Sequence, residues 1–70
     1  MSTDFRVELE QEDDGRWIAE IPDIPGVIAY GGSRQDALVA VKALALRVLA
    51  DRLENGEAQP EVESISFTVS

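Results

Sequence analysis

The side chains of this sequence that could do chemistry are carboxylates and little else. Fourteen Asp and Glu stand against six Lys and Arg, a formal charge of -8, and the chain has no His and no Cys. Lacking those two residue types, it has no thiolate nucleophile, disulfide, imidazole base or soft metal ligand. Pairs of carboxylates can do acid-base work, but only where burial or a close neighbour shifts their pKa values. Here they fall in an acid-rich run, Glu10 to Asp14 ahead of Gly15, and on the polar side of alternating segments, where water is the expected surrounding.

Each familiar motif fails on spacing. Aligning Gly15 with the invariant glycine of an EF-hand loop puts Ile21 where the bidentate Glu belongs, so the acidic run reads as a hairpin turn. Ser33 is explained by helix capping, which leaves no nucleophile-base pair. Gly31-Gly32 precedes a helix but no P-loop Lys follows, and Lys42 reads as a solvated helix residue. No catalytic, cofactor-binding or metal-ligating residue is therefore expected. Trp17 and Tyr30, the single Trp and the single Tyr, each have two readings: part of the core, or an anchor for a partner.

The bulk properties narrow the class. Direct nucleic-acid binding needs clustered cations to neutralise phosphates, and the charge has the opposite sign. An acidic surface serves solubility or attracts a basic partner. Seventy residues make one domain, 1–70. A chain of that size buries only about 60% of its unfolded surface. With neither disulfide nor metal to support so thin a core, association with a second copy is the remaining way to strengthen it. Met1 to Phe5 lacks the pattern of a signal peptide and no apolar run is long enough to span a bilayer, so the cytoplasm is the expected compartment.

The elements that must position the carboxylates follow from periodicity. From Asp4 to Gln11, apolar Phe5, Val7 and Leu9 alternate with Arg6, Glu8 and Glu10, as in a half-buried strand. A hairpin loop of Asp13, Asp14 and Gly15 pairs Glu12 with Arg16, Leu9 with Ala19 and Val7 with Ile21. That register puts Phe5, Val7, Leu9, Trp17, Ala19 and Ile21 inward, and Ile18 outward with Glu8, Glu10 and Glu20. A two-residue Asp14-Gly15 loop would set Leu9 against Glu20 instead. Pro22 and Pro25 end the second strand, Gly26 completes a corner, and Val27 to Tyr30 form a short third strand running into Gly31-Gly32.

Ser33 caps a helix in which Ala37, Leu38, Val41, Leu44, Ala45, Val48, Leu49 and Leu53 recur at helical steps, with Arg34, Gln35, Lys42 and Arg47 facing water and a stop at Asn55-Gly56. At about 33 Å it overhangs strands of about 20 Å, so Leu49 and Leu53 must find cover in the following chain, another subunit or a partner. Glu57 to Glu61 is a polar linker, and Ile65, Phe67 and Val69 alternate in a last strand. A right-handed crossover places that strand parallel to the first, giving an α+β fold with one mixed sheet in the order 3-2-1-4, one helix on one face and the other face open.

The order Asp13-Asp14-Gly15-x-Trp17-Ile18-Ala19-Glu20-Ile21-Pro22-Asp23-Ile24-Pro25-Gly26, followed by Gly31-x-Ser33-x-x-Asp36-Ala37-Leu38, resembles the HicB-type antitoxin family, with the likeness running from Phe5 to about Leu53. The resemblance implies a partial RNase H-like β-β-β-α-β fold and a role in binding and neutralising HicA-like toxins, small basic ribonucleases that cleave messenger RNA. Val27 stands where the family often has Cys, and an apolar residue fills the same space. Many members continue into a DNA-binding domain, whereas this sequence stops at Ser70, so operator binding is not expected of it. Nuclease chemistry of the RNase H kind requires acids converging on two metals. The inward positions of the first strand are instead Phe5, Val7 and Leu9, so the fold is read as a non-enzymatic binding scaffold. The residues expected to meet a partner are Glu8, Glu10, Trp17, Ile18, Glu20, Asp23, Tyr30, Leu49 and Leu53. The alternative is a structural or regulatory homo-oligomer with no toxin partner, and a homodimer is expected on either reading.

Overall fold

A computed structural model describes residues 2–56 and 64–69. Strand β1 (Ser2–Gln11) turns into β2 (Trp17–Glu20), a corner leads to β3 (Ile28–Gly31), helix α1 (Arg34–Glu54) follows, and β4 (Ser64–Val69) returns to the sheet. The four strands form one sheet in the order β3-β2-β1-β4, antiparallel except for the parallel β1-β4 pair. This is the α+β architecture that the alternation and the crossover rule imply. The expected linker Glu57 to Glu61 lies outside the described residues.

The first hairpin has the register that matched apolar faces require. Leu9 lies opposite Ala19, Glu10 opposite Ile18 and Gln11 opposite Trp17. Gly15 takes φ 92°, and its N–H donates to the Glu12 carbonyl at 2.9 Å while Glu12 N–H donates to Arg16 O at 2.6 Å. The carboxylate of Asp14 accepts the Arg16 N–H at 3.1 Å and the Arg16 Nε at 2.8 Å, which closes the turn from the side-chain direction. That backbone N–H is the main cause holding the Asp14 carboxyl below its ordinary pKa, with the Arg16 side chain adding to it.

The corner after β2 is two turns in series. Ile24 N–H donates to Ile21 O at 3.0 Å and Val27 N–H to Ile24 O at 3.2 Å. Pro22 and Pro25 each follow the residue that opens a turn, where a fixed φ near -65° is preferred, and Gly26 supplies the positive φ of 84° that the second turn needs. Ile21, Ile24 and Val27 are thereby pointed inward and buried. One more cross-strand bond, from Ile21 N–H to Val27 O at 3.1 Å, is made before Pro22 ends the pairing.

Phe5, Val7, Ala19, Ile21, Ile24 and Val27 meet Ala37, Leu38, Val41 and Ala45 of α1 in the core, with Leu9 and Trp17 packed at its margin. The helix begins where expected: Ser33 has extended φ and ψ of -139° and 165°, and its Oγ accepts the Asp36 N–H at 3.1 Å. It ends at Asn55, whose N–H and Nδ2 both donate to Asp51 O. Gly56 follows at φ 73°.

Three features of this region are not set by periodicity alone. Gly31 and Gly32 do not serve a positive φ; a Cβ on Gly31 would collide with the Ala37 nitrogen and come within 2.8 Å of Asp36, because the first turn of α1 sits directly on the end of β3. Leu53, at the overhanging end of the helix, is 59% exposed, whereas Leu49 packs against the core. Lys42 is half-buried rather than fully solvated, its Nζ lying 5.9 Å from the centre of the Phe67 ring, so its stem covers part of β4. Phe67 in turn packs on Phe5 with ring centres 6.1 Å apart, and Phe67 and Val69 remain half-buried at the sheet margin. Among the described residues no helix is long and apolar enough to cross a membrane.

The Gly31 contact separates two adjacent glycines. Gly31→Ala should destabilise the fold by about 1–3 kcal/mol, the usual cost of forcing atoms into a packed site. Gly32→Ala, with nothing within 4 Å of its Cβ, should not. Urea unfolding of the two variants checks the contrast.

A second test concerns β4. Asp4 Oδ1 accepts hydrogen bonds from Ser66 Oγ at 2.7 Å and Thr68 Oγ1 at 2.8 Å, and these bonds lower its carboxyl pKa from 3.8. Because the folded-state value is the lower one, the stabilisation is complete above 3.8 and is lost as the pH falls through that value towards the depressed one. Thermal melts between pH 6 and pH 2 should show this acid loss in the native chain and a weaker one in Asp4→Asn.

Candidate protein-interaction surface

The strand alternation that fills the core also sorts the opposite face. Reading across it from β3 to β4, Ile28 and Tyr30 lie on β3, Ile18 and Glu20 on β2, Glu8 and Glu10 on β1, then Arg6 and Asp4 beside Ser66 and Thr68. The helix packs across the inner side of β3, β2 and β1, so this face is open. It grades from an apolar edge through an acidic centre to a hydroxyl-rich margin.

Register places the charges. Glu8 is directly opposite Glu20, Glu10 is opposite Ile18, Ile18 is opposite Tyr30 and Glu20 is opposite Ile28. A shallow depression of about 130 Å³ is lined by Glu8, Leu9, Glu10, Ile18 and Glu20. All three glutamates are exposed and Ile18 is half-buried between them. Like charges directly opposite in a ladder oppose pairing. The face therefore carries an acidic cluster at a small cost to its own sheet.

Arg16 extends from the hairpin so that its guanidinium carbon lies 5.3 Å from the centre of the Tyr30 ring. Its ion pair with Asp14 is well exposed and contributes little to stability. The ring of Tyr30 thus already holds a guanidinium against its face, and Tyr30 itself is more than half exposed.

The predicted contact residues divide into separate groups. Glu8, Glu10, Ile18, Glu20 and Tyr30 come together on the open face, and Ile28 joins them. The alternation of a third strand of four residues is too short to assign Ile28 from sequence, although its pairing with Glu20 makes it a full member. Asp23 is exposed at the corner between the two prolines. Trp17 is on the inner side, half-buried against the core, and Leu49 is likewise packed against it. Leu53 is exposed at the far end of α1.

Among the described residues no group of three or more acidic side chains is placed to hold a metal ion. The arrangement suits docking of a protein: a flat apolar strip for contact area beside carboxylates that pair with cations. The class defined by fold and surface is thus a small α+β domain with a helix-covered side and an open acidic sheet. No family model, curated protein or solved structure matches the chain.

The Glu8-Glu20 opposition has a measurable consequence. Glu20→Lys turns a repulsive cross-strand pair into an attractive one and should stabilise the fold by about 0.2–1 kcal/mol at low ionic strength, with the gain shrinking as salt is added. Urea unfolding at two salt concentrations reads both effects.

Proposed function

We propose that this chain is a HicB-like antitoxin or antitoxin-derived binding module, which binds and neutralises a HicA-like messenger-RNA-cleaving ribonuclease and has no catalytic activity of its own. The observation that carries the proposal is the open sheet face, where Glu8, Glu10 and Glu20 surround Ile18 beside exposed Ile28 and Tyr30. A basic RNA-binding surface is the complement of such a face: its Lys and Arg meet the glutamates, and its apolar atoms cover the β2-β3 side. Occupying that surface blocks RNA from it. The likeness of the Asp13 to Gly26 and Gly31 to Leu38 segments to HicB-type sequences supports the same reading, as does the β-β-β-α-β order expected of a partial RNase H-like fold.

The acidic cluster then has a use that offsets its cost to the sheet. Interfacial charges of this kind accelerate encounter and reject wrong partners more than they add affinity, and their effect is screened by salt. The expected compartment is the cytoplasm, where the messenger RNA substrate of such a ribonuclease is found. A non-catalytic homo-oligomer without a toxin partner is the second reading, supported by the apolar residues that α1 exposes.

Mixing the purified chain with a HicA-like ribonuclease should give a complex at micromolar concentration and abolish RNA cleavage. Glu20→Lys should weaken that complex about tenfold or more, mainly through slower association, while leaving the fold at least as stable. No complex at micromolar concentration, with the ribonuclease still active, would remove the basis for the antitoxin reading.

A further inference from the structure

Arg16 is held on the open face by two contacts at once. Its guanidinium carbon lies 5.3 Å from the centre of the Tyr30 ring, and its Nε donates to Asp14 Oδ2 at 2.8 Å. Strand alternation explains the meeting. Trp17 packs inward, so Arg16 and Ile18 on either side of it point outward, and Ile18 is the cross-strand partner of Tyr30. Arg16 and Glu20 are therefore the two diagonal neighbours of Tyr30, at a separation that long side chains span.

Tyr30 is the single aromatic residue on this face. Phe5 and Trp17 pack at the core, and Phe67 lies beside Phe5 on the same inner side. The Tyr30 ring is 52% exposed, with Ile18 opposite it and Glu10 beyond Ile18 in the same row. A guanidinium fills one diagonal of the ring, and a carboxylate stands on the other.

We propose that Tyr30 and Glu20 form a receptor for an arginine side chain of the basic partner, and that Arg16 is the internal occupant of its ring in the free chain, displaced on binding. The inference rests on the reading of the open face as a docking surface for a basic protein. It narrows that protein to one that presents arginine, rather than lysine, to the β2-β3 side.

The chemistry of the two cations decides between them. A guanidinium is planar and weakly hydrated, so it lies flat on an aromatic ring while its N–H fork bonds a carboxylate. An ammonium is a compact, strongly hydrated point charge. An arginine laid on Tyr30 turns its fork towards Glu20, and its charge also relieves the repulsion between Glu20 and Glu8 opposite. The contact of Lys42 with Phe67 differs, because that ring is half-buried and so is the lysine that covers it.

Displacing Arg16 costs little. Its ion pair with Asp14 is open to water, the two side chains being 60% and 57% exposed. Asp14 also accepts the Arg16 backbone N–H, so the hairpin stays closed when the side chain leaves the ring. Arg16 is paired with Asp14 and not with Glu20, so an incoming arginine gains a carboxylate that the internal one does not use.

Two peptides of equal charge, acetylated and amidated tetra-arginine and tetralysine, test the receptor without any ribonuclease. Each is titrated into the full chain at low ionic strength and followed by nuclear magnetic resonance. The ratio of the two affinities cancels the long-range attraction that both share. The native chain should prefer the arginine peptide about threefold, the scale of an exposed cation-ring contact. Tyr30→Phe should keep that preference and Tyr30→Leu should lower the ratio towards one. Arg16→Ala vacates the ring and should raise the ratio about twofold or more, while its added negative charge strengthens both peptides alike. Both positions are exposed, and circular dichroism checks that each variant keeps the native fold. A native ratio of one, a ratio unchanged by Tyr30→Leu, or one that does not rise in Arg16→Ala would overturn the proposal. A ribonuclease that forms no complex while these ratios hold removes the antitoxin reading and leaves the arginine receptor standing; a tight complex with flat ratios does the reverse.

Discussion

The pairing register of β1 with β2 is the constraint on which the remaining structure depends. Strand side chains alternate with a period of two, so a slip by one residue would move Val7 and Leu9 into water and bring Glu8 and Glu10 against the helix. The Asp13-Asp14-Gly15 loop prevents that slip. Gly15 at φ 92° and the Glu12-Arg16 backbone bond fix the count of residues between the strands. Once Leu9 faces Ala19, the β2-β3 ladder inherits the same parity, and core and open face are settled together.

That coupling explains how much was legible in the sequence. Phe5, Val7 and Leu9 alternate without ambiguity, and only one loop length matches them to Ala19 and Ile21, so the sheet order and the acidic face could be derived without coordinates. What alternation could not reach were contacts between elements. Nothing local to Gly31 announces that α1 begins on top of it; the requirement for glycine comes from the path of the helix, not from the φ of the residue. Lys42 reads as an ordinary surface residue until β4 is seen at the edge of the sheet, partly under its side chain.

The helix shows a different limit. Its apolar residues recur at steps compatible with more than one face, and grouping Leu53 with Ala37, Leu38 and Val41 in one periodic set merged what are two sides of the helix. Ala37, Leu38, Val41 and Ala45 belong to the inner side, where α1 lies on the sheet, while Val39, Leu46 and Leu53 are exposed. Both sides mix small and large apolar residues, so neither period nor size separates them; the contact with the sheet does.

The distribution of charge sets the two sides of the molecule apart. A chain with a formal charge of -8 pays an electrostatic penalty for compactness, and the penalty is smallest when the acids are spread over solvent. Here several are instead gathered on one sheet face, with Glu8 set directly against Glu20, while most of the cations are on α1. Neither the core nor the turns require that segregation: Glu8 and Glu20 are exposed on the open face, and exchanging one of them for a cation would relieve the ladder. A local rule broken without a folding benefit points to a demand from outside the chain. The basic partner proposed for the sheet would satisfy that demand by neutralising the cluster.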